Sequence, residues 1–281
     1  MRKILIPTDF SENALNAIIY ATRLFKYDTC EFIILHAFAE DVYENTLEMP
    51  SHFLEQYKEK VKESSDRSLQ EVVVEILENA HNPKHDFEYV SIFDDVVDAC
   101  NQLVDKHNID LIIMGTKGEA NHENLTFGSK TLQVVKYVAC PVLMVPQQFH
   151  KNQPENILFA TDYMIPYKRR ELKLVSTIAK NFGAMINFLH ITKIENSSHR
   201  QLDNKSFLEA CTKHNQTTFF NMQGESVPKV IHEFIAANGV NLLVMVNSHH
   251  SYMESLLETS KIDQLGLKIE IPFLVLQNLP R

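Results

Sequence analysis

Three of the seven glycines in this chain of 281 residues stand close together near its middle. Gly115 and Gly118 are followed, after a spacer of nine residues, by Gly128 and Ser129. Glycine lets backbone N–H groups approach an anion closely, and the first N–H groups of an α-helix have no acceptor inside the helix. If Gly128 and Ser129 begin a helix, with Ser129 as its N-cap, this cluster suits the phosphates of a polyphosphate ligand. A turn and a helix start without any ligand would use the same residues.

The motifs of several other nucleotide-dependent protein classes are absent. The first predicted strand ends in Pro7-Thr8-Asp9 rather than in the GxGxxG turn of dinucleotide-binding folds, and no GxxxxGK[ST] loop occurs. The sequence assembles no Ser/His/Asp or Cys/His set, and it has neither the HxGH-like nor the SGGxDS-like loop of adenylating enzymes. It therefore favours binding over catalysis, and any hydrolysis is expected to be slow and to lack a dedicated general base.

A parallel sheet is the scaffold that the sequence predicts for these residues. Short, continuously apolar strands alternate with helical patterns, which is typical of a parallel sheet covered by helices on both faces. Ligands of such folds bind at the carboxyl edge of the sheet, where Gly115 would lie. The predicted strands are Lys3–Pro7, Phe32–His36, Phe87–Val90, Leu111–Met114 and Pro141–Val145, and the predicted helices are 12–26, Ser51–Ala80, 93–106 and Ser129–Val138.

The same pattern then repeats along the chain. Residues 156–162 match the first strand and its Thr-Asp at an offset of 153, and residues 110–145 align without a gap on 241–276 at an offset of 131. The smaller second offset predicts that the second copy lacks about one helix and its loop, near the counterpart of 40–85. A polar stretch that ends in Pro154 is the natural linker, so we expect two tandem domains, 1–147 and 154–281.

With these motifs in place, the chain resembles the universal stress protein family. The matching segments are KILIPTDFS from Lys3, FIILHAF from Phe32, LIIMGTKG-x9-GS from Leu111 and CPVLMVP from Cys140. The G-x2-G-x9-G-[ST] pattern is the ATP-binding signature of that family. The resemblance implies an α/β fold of two Rossmann-like domains, each an open five-stranded parallel sheet with helices on both faces. It also implies an internal pseudo-dimer in which the last strand of each domain pairs with that of the other.

The resemblance also assigns roles to individual residues. It places the adenine and ribose of ATP beside the end of the first strand, with the backbone of the residue after His36 facing the adenine. The phosphates would lie against the glycine cluster. The spacer carboxylates are expected to lie on a solvated loop face; if they stand near the phosphates instead, Mg²⁺ or the ammonium groups of Lys117 and Lys130 would offset their charge. Asp9 could instead simply cap the helix that begins near Ser11. The implied nucleotide-binding residues are Pro7, Thr8, Asp9, Ala37, Met114, Gly115, Thr116, Lys117, Gly118, Gly128, Ser129, Lys130 and Thr131.

The second copy departs from this pattern at its glycines. Gly115, Gly118 and Gly128 are replaced by Val246, His249 and Thr259, while Ser129 keeps a serine counterpart, Ser260. A branched side chain in place of bare backbone should block the phosphate path. We therefore expect one ATP site per chain, in the first domain.

Composition restricts the remaining classes of function. The formal net charge of −9 argues against non-specific nucleic-acid binding, and no apolar run is long enough to span a bilayer. The N-terminus lacks a signal-peptide core, so the expected location is the cytoplasm, with the four scattered cysteines reduced. We expect His36 and His190 to be structural histidines bonded to the backbone. His249, His250 and Glu254 are expected to be exposed rather than to bind a metal.

Three functions follow from the sequence and the resemblance. The favoured one is a cytoplasmic, ATP-binding regulatory protein of the stress response, which docks with an unidentified protein partner according to nucleotide occupancy. A nucleotide-independent interaction scaffold and a slow ATPase are the alternatives. A further homodimer is compatible with each.

Overall fold

The computed structural model describes residues 1–46, 51–116, 127–150, 153–192, 198–224, 226–247 and 269–278. In these ranges strands and helices alternate along the chain. The strands are β1 (Arg2–Pro7), β2 (Cys30–Ala37), β3 (His85–Ile92), β4 (Leu111–Gly115), β5 (Val142–Val145), β6 (Asn156–Ala160), β7 (Met185–Thr192), β8 (Gln216–Gln223), β9 (Leu242–Asn247) and β10 (Phe273–Gln277). The helices are α1 (Glu12–Leu24), α2 (Ala39–Thr46), α3 (Ser51–Asn79), α4 (Val96–His107), α5 (Ser129–Tyr137), α6 (Arg169–Phe182), α7 (His199–Thr212) and α8 (Val227–Asn238).

The chain divides into two compact units, Met1–Asn121 with Gly128–Val142, and His122–Phe127 with Leu143–Arg281. Strands β1 to β5 with helices α1 to α5 are called the first half below, and β6 to β10 with α6 to α8 the second half. The α/β class and the Rossmann-like parallel strand order predicted from the sequence are confirmed. The predicted domain bounds, 1–147 and 154–281, stay a prediction.

In the first half the strand order is β3-β2-β1-β4-β5. β1 pairs in parallel with β2 on one side and with β4 on the other, so that Ile4 lies between Phe32 and Leu111. Ile4, Leu5 and Ile6 are fully buried because helices cover both faces, as their unbroken apolar run predicts. The chain order of the strands reverses at β1. The loops that follow β1 and β4 therefore frame a crevice at the carboxyl edge, where open α/β sheets bind ligands.

The second half repeats this order as β8-β7-β6-β9-β10. β6 pairs in parallel with β7 and with β9, as β1 does with β2 and β4. Between its second and third strands the second half has α7 (His199–Thr212), where the first half has α2 and α3. The predicted loss of about one helix and its loop is confirmed.

Helix starts follow simple capping rules, with one correction. Ser11 caps α1 by accepting a hydrogen bond from the N–H of Ala14 at 3.2 Å. The N-cap of α5 is Gly128, which has no side chain to offer, and Ser129 is the first helical residue. The prediction that Ser129 caps this helix is therefore wrong.

Two further glycines end helices of the second half. Gly183 and Gly239 adopt φ values of 65° and 58°, in the left-handed region that closes an α-helix. Both stand where glycine has least steric cost. Their role is local, and neither lies in the glycine cluster identified from the sequence.

Gly115 is bare because helix α1 packs against it. A Cβ built on Gly115 would stand 2.7 Å from Nδ2 of Asn13 and 3.2 Å from the backbone carbonyl carbon of the same residue. Asn13 lies in the first turn of α1 and is buried. The close approach of α1 to the end of β4 thus requires glycine here before any ligand is considered.

No helix among the described residues is long and apolar enough to cross a lipid bilayer.

We expect Gly115→Ala to destabilise the protein by about 1–3 kcal/mol, the usual effect of adding a methyl group to a packed contact. Urea unfolding followed by circular dichroism measures the change. Adding Asn13→Ala should recover part of the loss, because the two closest atoms belong to the Asn13 side chain. A Gly115→Ala protein as stable as the wild type would contradict this packing argument.

Candidate functional site

The turn after β1 is held rigidly and presents Asp9 to solvent. The N–H of Thr8 donates to the carbonyl of Leu35 at 2.8 Å, which continues the pairing with β2. The hydroxyl of Thr8 accepts from the N–H of Phe10 at 3.0 Å, and Phe10 has a φ of 62°. A left-handed aromatic residue is costly, so this turn is fixed by its surroundings. Asp9 is exposed at its apex.

Asp9 supports the start of α1 without capping it. Its Oδ1 accepts from the N–H of Ser11 at 3.1 Å and from the hydroxyl of Ser11 at 2.6 Å, while Ser11 itself caps the helix. The alternative in which Asp9 is the cap is therefore wrong. One carboxylate oxygen is used in this turn, and the side chain remains accessible to a ligand.

A buried histidine lies beneath this turn. The ring of His36 lies 4.6 Å from that of Phe10, its Nδ1 is 2.8 Å from the hydroxyl of Ser65, and its Nε2 is 3.5 Å from Asp41. Burial lowers the pKa of His36 below 6.5, and the charge of Asp41 opposes that shift only in part. The prediction of a structural histidine agrees with its burial, but its partners are side chains rather than backbone.

The end of β4 is tied to the start of α5. The N–H of Gly128 donates to the carbonyl of Thr116 at 2.7 Å, and the hydroxyl of Thr131 donates to the carbonyl of Gly115 at 3.1 Å. Thr116 and Thr131 are buried. The Thr131 hydroxyl is thus engaged by the backbone, so any contact of Thr131 with a phosphate falls to its N–H.

Helix α5 begins with N–H groups that have no acceptor inside the helix. The first intrahelical bond runs from Leu132 N–H to the carbonyl of Gly128, at 3.1 Å. The N–H groups of residues 129–131 come before it, and an α-helix has no acceptor for them. Ser129 and Lys130 are exposed. This helix start can bind an anion.

A contact that the sequence did not predict lies beside this helix start. Lys130 forms a close ion pair with Glu40, and both side chains are about half exposed, at 57% and 49%. Glu40 belongs to the first turn of α2. Helix α2 itself was not predicted, because its eight residues bury only three side chains, too few for a periodic pattern.

The remaining predicted site residues divide into two groups. Pro7 and Met114 are buried, and Ala37 is half-buried as the last residue of β2. Together with the residues above they share one sheet edge, at the ends of β1, β2 and β4. Lys117 and Gly118 lie outside the described residues, as do His249, His250, Glu254, Thr259, Ser260 and the spacer residues 119–126.

The second half has the same turn after its central strand β6, with equivalent hydrogen bonds. The N–H of Thr161 donates to the carbonyl of Leu189 at 2.9 Å, and its hydroxyl accepts from Tyr163 N–H at 3.0 Å. Tyr163 has a φ of 58°, the counterpart of the left-handed Phe10. The ring of Tyr163 lies 5.0 Å from that of His190, as Phe10 does beside His36.

In the second half, however, α7 closes over this turn. The side-chain amide of Gln201 donates to the carbonyl of Asp162 at 2.9 Å, and that of Asn204 donates to the carbonyl of Tyr163 at 2.7 Å. Tyr163 is only 3% exposed. Neither amide was singled out from the sequence, because the contact joins segments about forty residues apart.

Other residues of the second half are also buried or hydrogen-bonded within the protein. Val246, at the position of Gly115, is buried, and the hydroxyl of Thr161 contacts that of Tyr167. Burial lowers the pKa of His190, and its hydrogen bond to Asn221 opposes that shift. The side chain of Asn221 is therefore a partner of His190, whereas the sequence predicted a backbone partner.

Comparison with known proteins shows the family to which this chain belongs. The model of the universal stress protein family matches residues 1–146. Universal stress protein MJ0577 of Methanocaldococcus jannaschii is 28% identical over 160 residues, which cover 52% of this chain and 96% of that protein. Universal stress protein MJ0531 of the same organism is 27% identical over 156 residues, 51% of this chain and 81% of that protein.

A solved structure extends the likeness to both halves. The crystal structure of a universal stress protein from Archaeoglobus fulgidus superposes with a TM-score of 0.68 and covers 99% of this chain and 98% of its own. At 18% identity this likeness shows the fold. The fold is therefore shared with a known protein over 99% of this chain.

The lowered pKa of His36 predicts how the stability of the protein changes with pH. Because the pKa is lowered in the folded state, the unfolded chain binds more protons below about pH 6.5. The stability contributed by neutral His36 is present above that pH and is lost as the pH falls through the folded pKa. We expect His36→Gln to lose less stability than the wild type between pH 7.5 and 5.5, measured by urea unfolding.

The exposed surface residue His81 provides the matched control, as His81→Gln. Its loss of stability on acidification should equal that of the wild type. An equal loss in His36→Gln would contradict the prediction.

Proposed function

We propose that this chain, which belongs to the universal stress protein family, binds ATP in its first half and acts in the cytoplasm as a nucleotide-dependent regulatory protein. The observation that supports this most is a contrast within one molecule. The same turn follows the central strand of each half. In the first half its aspartate, Asp9, is exposed. In the second half the carbonyls of Asp162 and Tyr163 accept hydrogen bonds from the side chains of α7. Within the residues that the structure describes, the turn of the first half is therefore the more accessible of the two to a ligand of that kind.

The residues of the first half fit the separate parts of a nucleotide. Asp9, at the end of β1, offers an exposed carboxylate to ribose hydroxyls, with Ala37 and Met114 at the neighbouring strand ends. The N–H groups of residues 129–131 and the ammonium of Lys130 would bind the phosphates, as helix starts commonly do. Mg²⁺, when bound, would neutralise phosphate charge beside the local carboxylates.

The regulatory role rests on how the site is built. The phosphate-binding helix start is tied to β4 by Gly128 and Thr131, and Lys130 contacts α2. A ligand with higher affinity for one arrangement of these segments shifts their equilibrium, and a partner that docks on them would sense that shift. This function requires the protein to bind the nucleotide and to orient it.

We expect Lys130→Met to weaken ATP binding about five- to tenfold, since a charge-assisted contact to phosphate is lost. Gly128→Val should weaken it at least as much by keeping the phosphates away from the helix start. The backbone at Gly128, with φ −68° and ψ 154°, accepts valine without strain. Isothermal titration calorimetry with Mg·ATP measures both variants.

Lys136→Met is the matched control, because Lys136 is an exposed lysine in the last turn of the same helix. It should bind ATP as the wild type does. Equal affinity in wild type, Lys130→Met and Gly128→Val would contradict the site assignment.

The stoichiometry of binding tests the difference between the halves. We expect one nucleotide per chain in the same titrations, since Gln201 and Asn204 engage the turn of the second half. Two equivalent sites per chain would contradict this expectation. The double variant Gln201→Ala/Asn204→Ala should bind ATP in the first half with wild-type affinity, whereas Lys130→Met should bind it more weakly.

The alternative functions are distinguished by two measurements on the purified protein. Mass spectrometry after denaturation should find adenine nucleotide released in about one equivalent if the proposal holds, and none if the chain is a nucleotide-independent scaffold. Steady-state phosphate release with Mg·ATP, compared with Ser129→Ala, tests the slow ATPase.

A further inference from the structure

We propose that Glu40 is a specificity-determining residue of the phosphate site. Its carboxylate acts as an internal counter-anion that engages Lys130 and competes with the phosphates of a nucleotide. This inference rests on the proposed function, because it concerns the same site. It adds a residue outside the glycine cluster and assigns to helix α2 a direct part in phosphate binding.

The fold brings the two side chains together at the sheet edge. Helix α2 begins at Ala39, directly after β2, and α5 begins at Ser129, after the return from β4. Both helices start at the carboxyl edge, on which the crevice beside β1 opens. Glu40 in the first turn of α2 and Lys130 in the first turn of α5 meet there as a close ion pair.

The neighbouring carboxylates have other partners, which distinguishes Glu40 from them. Asp41 lies 3.5 Å from His36, and Asp9 accepts two hydrogen bonds from Ser11. Among the residues that the structure describes, Glu40 is the carboxylate that contacts the ammonium of Lys130. An anionic group of the protein therefore already stands against the cation to which a phosphate would bind.

The exposure of this pair makes the competition measurable. Both side chains are about half exposed, and ion pairs of this kind contribute little, so a polyphosphate can displace Glu40. The displacement nevertheless weakens binding, and the displaced carboxylate repels the phosphates that replace it. Removing the charge should raise polyphosphate affinity by about three- to fivefold, the range that an exposed ion pair can supply.

The competition acts only on ligands that reach Lys130. Adenosine carries no phosphate, so its binding should not depend on Glu40. Glu40 thus lowers the preference of the site for phosphorylated over unphosphorylated ligands. The opposite role, in which Glu40 holds Lys130 toward the phosphates, would give the opposite sign and is separated by the same experiment.

The test is a calorimetric titration with sodium tripolyphosphate, with ATP and with adenosine, each at the same ionic strength. The proteins are the wild type, Glu40→Gln, Lys130→Met, the double variant, and Glu44→Gln as matched control. Glu44 is an exposed glutamate of the same helix. Tripolyphosphate needs no adenine contact, so it tests Glu40 whether or not the chain binds nucleotides.

We expect Glu40→Gln to bind tripolyphosphate about three- to fivefold more tightly than wild type and Glu44→Gln, with the gain absent in the Lys130→Met background. Unchanged or weaker binding by Glu40→Gln, or no binding by any variant, would overturn the inference. A gain for tripolyphosphate without binding of ATP or adenosine would support the role of Glu40 while the proposed ATP function fails. If Lys130→Met weakens ATP binding and Glu40→Gln has no effect, the proposed function is supported and the inference about Glu40 is overturned.

Discussion

The parallel pairing of β1 between β2 and β4 is the constraint on which the rest of the first half depends. Because the strand order reverses at β1, the segments that follow β1 and β4 leave the sheet on either side of one crevice. The turn at Thr8 continues the β1–β2 pairing through its bond to Leu35, which fixes where Asp9 stands. The bonds from Gly128 and Thr131 then set α5 against the end of β4. The turn at Asp9 and the start of α5 are thus positioned by hydrogen bonds to the backbone of neighbouring strands.

The second half keeps this constraint, but its turn accepts hydrogen bonds from α7. Its central strand and its turn are retained down to the left-handed aromatic residue, Tyr163. What differs is the connection from the second strand to the third, where α7 replaces α2 and α3. The shorter connection brings Gln201 and Asn204 onto the turn, and their amides satisfy carbonyl groups there. The turn carbonyls of the second half are therefore bonded within the protein, whereas Asp9 in the first half is exposed.

Sequence patterns predicted the strands well because their continuous apolar runs are required on a doubly covered sheet. They predicted the long helices for the same reason, through the spacing of buried residues. They failed for α2, whose eight residues are too few to show a period, and so the contact of Glu40 with Lys130 was not predictable. Capping was misassigned at Ser129 because Gly128 already occupies the N-cap. The partners of His36 come from α2 and α3, distant in sequence, and no local pattern encodes them.

The glycine cluster itself requires two physical explanations. Gly115 is needed by α1, since Asn13 occupies the space of its missing Cβ. In the second half Pro166 stands at the sequence position of Asn13, α6 begins only at Arg169, and Val246 lies near Pro166. The exchange of glycine for valine can therefore follow from helix packing alone, and Gly115 is weak evidence for a phosphate. Gly128 is different, because its φ of −68° is open to any residue and backbone conformation gives no reason for a glycine. The feature of this edge that suits an anion is therefore the helix start behind Gly128, where Lys130 already contacts a carboxylate.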